Sequence, residues 1–260
     1  MSDAIRHICT IAKRELSGYF ASPVAYVVMA VFLALSGYFF WGFLARFTFY
    51  SIQASMNPAI GGGLNIMEFV LGPLFHNMSI VMLLMMPLFT MRLFAEERKT
   101  GTMELLLTYP VRDGAILLGK FLAVVVLFLC MLALTAIYPI LLMAWSSPEP
   151  LPILAGYLGL VLVGTAFLSL GLFTSALTEN QIVAASLAFG ALLFIWVIGW
   201  SADLAGGTVG KVLGHLSFLN HFEAFARGVV DTKDLIYYFN VTALFLFLTL
   251  KAVEARRWRA

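Results

Sequence analysis

The chain has 260 residues, of which 62% are hydrophobic and only 12% charged, and 23 of them are Phe. A soluble domain carries about 25% charged residues, so a mean hydropathy of +0.95 excludes a water-soluble globule and points to a polytopic membrane protein. The net charge of +2 says little about partners, and no nucleic acid is expected among them.

Residues 4–20, "AIRHICTIAKRELSGYF", put Ile5, Ile8, Ala12, Leu16 and Tyr19 on one helical face, with Arg6, Lys13 and Arg14 away from it. This pattern predicts an amphipathic helix lying in the headgroup layer. No apolar core followed by a small-residue cleavage site opens the chain, so a cleavable signal peptide is not expected. The helix should break at "ASPV", where Ser22 can cap and Pro23 suits the first position of the next helix.

Six apolar segments follow, at 24–45, 69–91, 119–145, 151–177, 181–202 and 235–250. A hydrocarbon core needs about 20 helical residues, and only helices close their own backbone hydrogen bonds within one segment. The sixth run is short, but Lys251 can snorkel and Tyr237 and Tyr238 can sit at the opposite interface. Between the first two spans, 46–68 reads as an outer loop, with "NPAIGGGLN" as turn chemistry.

Charge sets the orientation. Arg6, Lys13, Arg14, Arg92, Arg98, Lys99, Arg112, Lys120, Lys251, Arg256, Arg257 and Arg259 fall on one side. Arg46, Lys211, Arg227 and Lys233 fall on the other, dividing the 16 Lys and Arg as 12 against 4. The positive-inside rule therefore predicts cytoplasmic termini and a cytoplasmic loop at 94–114, and an even number of spans agrees by placing both termini on one side.

In that loop, "FAEERKTGTMELLLTYPV", Gly101 can end the helix continuing from the second span. Thr102 can cap a new one with Glu104 in its first turn. The new helix covers about 103–108, stops at Tyr109–Pro110, and carries Leu105, Leu106 and Leu107. Removing one leucine side chain from water is worth about 1.5–3 kcal/mol. The three must therefore enter the headgroup layer, a groove on another protein, or the chain's own bundle.

The outer segment 203–234 should break at "DLAGGTVG" and then form a short helix over "LNHFEAFARGVV". Asn220 and Glu223 stand in capping-box spacing, Glu223 and Arg227 are placed to pair, and Gly228 can end it. Its aromatic face of Phe218, Phe222 and Phe225 suits a re-entrant or lid helix, the alternative being a plain surface helix.

"EERKTGTMELLLTYPVRDGAILLGKFLA" resembles the cytoplasmic loop of ABC-2-type permeases, the membrane subunits of a class of ABC exporters, in which E-E-(x)3-G-T-x-E-L-L-L-T-x-P holds the coupling helix. "IAKRELSGYFASPVAYVV" is similar to the family's interfacial entry helix. "LSFLNHFEAFARGVVDTKDLIYY" and the basic C-terminal end resemble the gliding-motility-associated branch.

The resemblance implies an all-α, six-span permease in a prokaryotic cytoplasmic membrane. It implies dimerisation with a second permease copy and two copies of a separately encoded ATPase, on which ATP and Mg would reside. By position, Glu97, Gly101, Thr102, Glu104, Leu105, Leu106, Leu107 and Pro110 form the implied ATPase contact set. An accessory subunit on the outer face is compatible with this arrangement.

The residues themselves show no enzyme. "AGGTVGKVL" lacks the spacing of a phosphate-binding loop and the hydroxyl residue after Lys211, and no HExxH or nucleophile elbow occurs. Cys9 and Cys130 form no CxxC or His-linked pattern. Met78, Met82, Met85 and Met86 share a face of the second span, read as adaptable packing rather than a copper path. Gly164, Gly171 and Ser175 on the fourth span suit close helix contact, and a dimer seam is one place for it. Acidic residues are absent from mid-span positions, which disfavours a gradient-driven carrier or channel. A non-transporting membrane anchor is the remaining alternative.

Overall fold

The computed structural model of the chain describes residues 2–56, 65–102, 111–145 and 148–257. Among them the regular structure is helical, with no strand. Six stretches are long and apolar enough to cross a membrane: Pro23–Met56, Met67–Lys99, Asp113–Ala144, Pro150–Leu177, Gln181–Ser201 and Thr232–Ala255. The chain is thus an all-helical, multi-pass membrane protein.

Helix α1, Ser2–Ala21, ends where Ser22 N–H bonds the Tyr19 carbonyl, and α2, Pro23–Met56, starts on the proline. Helix α2 does not stop at residue 45. The run "RFTFYSIQASM" is less apolar but contains no Gly or Pro, so the helix continues for 34 residues, about 51 Å at 1.5 Å per residue. The helix therefore runs eleven residues past the predicted end of the span, and the "NPAIGGGL" portion of the expected outer loop lies outside the described residues.

A π-helical turn, Met67–Leu71, leads into α3, Gly72–Thr90. Pro87 lies inside α3 and cannot donate to the carbonyl four residues back. Met91, itself in helical conformation, separates α3 from α4, Arg92–Lys99. Helix α5, Asp113–Thr135, begins six residues before the apolar run that predicted it, after an extended Arg112. It breaks at Ala136, just ahead of Pro139, and continues as α6, Ile137–Trp145.

Helix α7, Pro150–Leu177, is the hub, touching α3, α4, α5, α8 (Gln181–Ala205), α10 (Phe218–Ala226) and α11 (Thr232–Arg257). Its most apolar window is 67% buried, against 17% for α11. Missing side chains make this possible. A Cβ added at Gly156 would lie 2.2 Å from Phe75, at Gly159 2.4 Å from Phe225, at Gly164 2.3 Å from Phe128, and at Gly171 2.2 Å from Thr90. Neighbouring side chains sit directly on the α7 backbone, the close approach that small residues permit between membrane helices.

The face carrying Gly164, Gly171 and Ser175 is therefore filled within the chain and is not a dimer seam. Met78, Met82 and Met86 are fully buried, with Met82 Cε beside Gly164, as expected of packing.

Candidate functional site

Helices α1, α4, the start of α5 and the α7–α8 turn converge at one end of the bundle, around the entry to the segment after Gly101. The seat of α1 is Gly119 of α5, where an added Cβ would meet Ile11 at 2.8 Å. The predicted apolar face of α1 thus packs chiefly on α5, with Tyr19 reaching the end of α3 and Arg92 of α4, while Ile5 stays exposed. Tyr19, 3% exposed, donates to the Phe89 carbonyl at the end of α3, and the Arg92 guanidinium stacks 4.4 Å from its ring centroid. Burial raises the Tyr19 phenol above its ordinary range, and Arg92 only partly opposes this.

At the centre is Lys120, 1% exposed. Its ammonium lies 2.9 Å from Glu15 Oε1 on α1, 2.8 Å from Glu97 Oε1 on α4, and 2.8 Å from the Leu93 carbonyl. A lysine has three N–H donors, of which two are hydrogen-bonded, to Glu15 and the Leu93 carbonyl, while Glu97 is held as an ion-pair partner. The Phe94 ring lies 5.4 Å away as a further, weaker neighbour. A buried ammonium is tolerated only when it is fully paired, and here the pairing comes from two other helices. A cavity of 360 Å³ lies beside the cage, with Arg14, Glu96, Thr100 and Thr102 among its lining.

Two further contacts fix α4. Ser175 of α7 accepts from Phe94 N at 3.1 Å and Ala95 N at 3.2 Å, and donates to the Met91 carbonyl at 3.0 Å. It thereby serves as the N-cap of a helix some 80 residues away in sequence, satisfying amides that the first turn leaves open. Arg98, whose side chain is 7% exposed, donates to the Ala176 carbonyl at 3.0 Å and pairs with Glu179 at 2.9 Å.

Among the sequence-derived contact residues, Glu97 is thus engaged inside the chain. Its side chain is 15% exposed, and its second oxygen, Oε2, is buried without a hydrogen-bond partner among the described residues. Gly101 ends α4 at φ +72°, as expected. The Thr102 hydroxyl folds back, donating to the Glu97 carbonyl and meeting the Thr100 hydroxyl at 2.9 Å. Glu104, Leu105, Leu106, Leu107 and Pro110 lie outside the described residues, as does the helix expected over 103–108. Sequence reasoning missed the Lys120 cage. The available signals were an isolated lysine in an apolar run and Glu15 placed with Ile8, Ala12 and Tyr19 on one face of α1.

The other end of the bundle carries α9, Gly207–Leu216, and α10. The Gly206–Gly207 pair bends the chain at positive φ without ending helical structure, so α9 follows at once. Ser217, not Asn220, caps α10, accepting from Asn220 N. The Glu223–Arg227 pair and the stop at Gly228, φ +84°, are as expected.

Phe218, Phe222 and Phe225 are fully buried. Phe218 stacks edge-on against Phe167, Phe225 covers Gly159, and Gly228 abuts Pro152. Helix α10 therefore runs antiparallel to α7, from about its middle back to its start. It is joined to α11 by His221 Nδ1, 2.6 Å from buried Asp234 Oδ1, and by the Tyr238 phenol, which donates to the Phe218 carbonyl, while the Tyr237 phenol donates to the Leu216 carbonyl at the end of α9. A 670 Å³ cavity opens between α2, α3 and α10, with Glu68, His76, Asn77 and Glu223 in its wall.

Among the described residues no group of three or more His, Cys, Asp or Glu is placed to hold a metal. Cys9 and Cys130 are free and exposed. No curated protein matches the chain. A family model described as ABC-2 family transporter protein matches residues 61–204, more than half of its length.

Proposed function

Because the chain belongs to the ABC-2 family of transporter proteins, we propose that it is the permease subunit of an ATP-driven exporter, powered by a separately encoded ATPase. The observation that carries this reading is the anchoring of the two helices flanking residues 100–112. Helices α4 and α5 are tied to each other through Lys120, to α1 through Glu15, and to α7 through Ser175 and Arg98. A force applied to the intervening segment would reach the whole bundle instead of dissipating in a loose loop.

In this reading the cytoplasmic face carries both termini and the 94–114 loop, in a prokaryotic cytoplasmic membrane. Leu105, Leu106 and Leu107 enter a groove on the ATPase, with Gly101, Thr102, Glu104 and Pro110 shaping the element and Glu97 at its base. ATP and Mg bind the partner, two copies of which close on nucleotide and press on two permease copies. Helix α1 lies at the headgroup layer, and α9–α10 form a re-entrant element at the outer face, where an accessory subunit can dock. The gliding-motility-associated branch is the proposed subfamily.

The test is co-purification of the chain with the ATPase encoded beside it. The unaltered chain should retain the ATPase, and Leu105→Asp with Leu106→Asp should lose it while keeping the fold. Undiminished retention by that variant would refute the docking role.

A further inference from the structure

We propose that Lys120, Glu15 and Glu97 form a clamp that makes α1, α4 and the start of α5 one mechanical body. Displacement of the segment after Gly101 then moves the N-terminal helix and the third span together with the second. Lys120 and Glu97 are positioning residues in this account, not contacts to a partner. The functional consequence rests on the exporter reading above, whereas the clamp itself does not.

The argument is geometric. One buried ammonium is hydrogen-bonded to a carboxylate from α1 and a backbone carbonyl of α4, and ion-paired with a carboxylate from α4. Charged N–H···O bonds hold near 2.7–2.9 Å and weaken steeply with misalignment. Tilting α4 against α5, or sliding α1 along either, would therefore strip a partner from a cation that water does not reach.

Pro87 removes one α3 backbone bond just ahead of α4, and the clamp braces α4 against α1 and α5 there, beside the Ser175 and Arg98 contacts that hold it to α7. Among the described residues the second Glu97 oxygen has no hydrogen-bond partner, and Lys120 supplies the one ion pair seen there for that carboxylate. Seating of Ile11 on Gly119 adds a shape constraint along the α1 arm alone.

The test uses the full chain in lipid nanodiscs, diluted with unlabelled copies so that spin-label distances are read within one chain. The native Cys9 on α1 and Cys130 on α5, both exposed, report the first arm. Cys130 with Lys99→Cys on α4, in a Cys9→Ser background, reports the second. Each pair should give one narrow distance distribution in the otherwise unaltered chain. Glu15→Met should abolish the narrow peak of the first pair and spare the second, Glu97→Met should do the reverse, and Lys120→Met should abolish both.

If Lys120→Met does not fold, the two single-arm variants decide the matter. General destabilisation would affect both pairs alike, so equal responses, or none, overturn the clamp. Adding the ATPase with ATP and Mg separates the two proposals. Both pairs must stay narrow through nucleotide binding. Arm-specific loss in a chain that binds no ATPase would leave the clamp standing and refute the exporter reading.

Discussion

Replacing Gly159 by alanine tests the α7 hub most sharply, because a second glycine supplies the contrast. An alanine Cβ at 159 would lie 2.4 Å from Phe225 Cβ, and one at 164 would lie 2.3 Å from Phe128 Cζ. Carbon atoms rest at about 3.5–4.0 Å, so both sites are overfilled by more than about 1 Å. The offending atoms differ in kind. Phe128 Cζ is the far end of a side chain that a small change in χ1 can carry aside, whereas Phe225 Cβ is fixed to the α10 backbone. Sliding of α10 is opposed by the Tyr238 phenol on the Phe218 carbonyl at 2.7 Å and by His221 on Asp234 at 2.6 Å.

Overpacking costs about 1–3 kcal/mol, and exchanging glycine for alanine in a helix returns about 1 kcal/mol. Gly159→Ala should therefore lose about 2 kcal/mol, while Gly164→Ala loses about 0–1 kcal/mol. Gly190→Ala, whose Cβ meets nothing within 4 Å in the chain, serves as the baseline. Reversible unfolding by SDS titration in mixed micelles measures all three. A cost for Gly164→Ala equal to or above that of Gly159→Ala would refute the reasoning, since the shorter distance would then have outweighed the rigidity of the atom it meets.

Ser175→Ala should cost about 1–3 kcal/mol, because two amides of α4 lose a buried acceptor, and Ser175→Thr should recover part of it in the same titration. Lys120→Met should cost about 3–5 kcal/mol by leaving two carboxylates without their cation. Arg227→Ala, at a pair whose side chains are 72% and 59% exposed, should cost under about 1 kcal/mol. The Tyr19 phenol is raised by burial above the ordinary 10.0. Its contribution to stability is therefore present below pH 10 and lost as pH rises beyond it, because the unfolded chain ionises first. Unfolding midpoints from pH 9 to 11.5 should fall less in Tyr19→Phe than in the unaltered chain.

Local signals placed the elements well where the physics was local. Pro23 starts a helix because its missing N–H costs nothing there, Gly101 and Gly228 end helices at positive φ, and Glu223 finds Arg227 one turn on. Hydropathy failed where it was asked to set length. Helix α2 continues past Arg46 because nothing in "RFTFYSIQASM" breaks a helix, whatever its polarity. Helix α9 was lost to the Gly206–Gly207 pair, which bends the chain without stopping it.

The cage was invisible for a different reason: Glu15 and Lys120 are 105 residues apart, and only the docking of α1 on α5 brings them together. Ser175 is similar. Its spacing with Gly164 and Gly171 marked a packing face, but one serine among small residues gives no sign that it caps a distant helix.

The docking of the 100–112 segment on an ATPase is tested most directly by a photo-reactive amino acid at position 106, activated in intact cells. The account predicts an adduct whose partner peptides carry a Walker motif and an ABC signature, lost when Leu105 and Leu107 are both changed to Asp. Adducts confined to this chain or to lipid, in cells that produce the neighbouring ATPase, would contradict it.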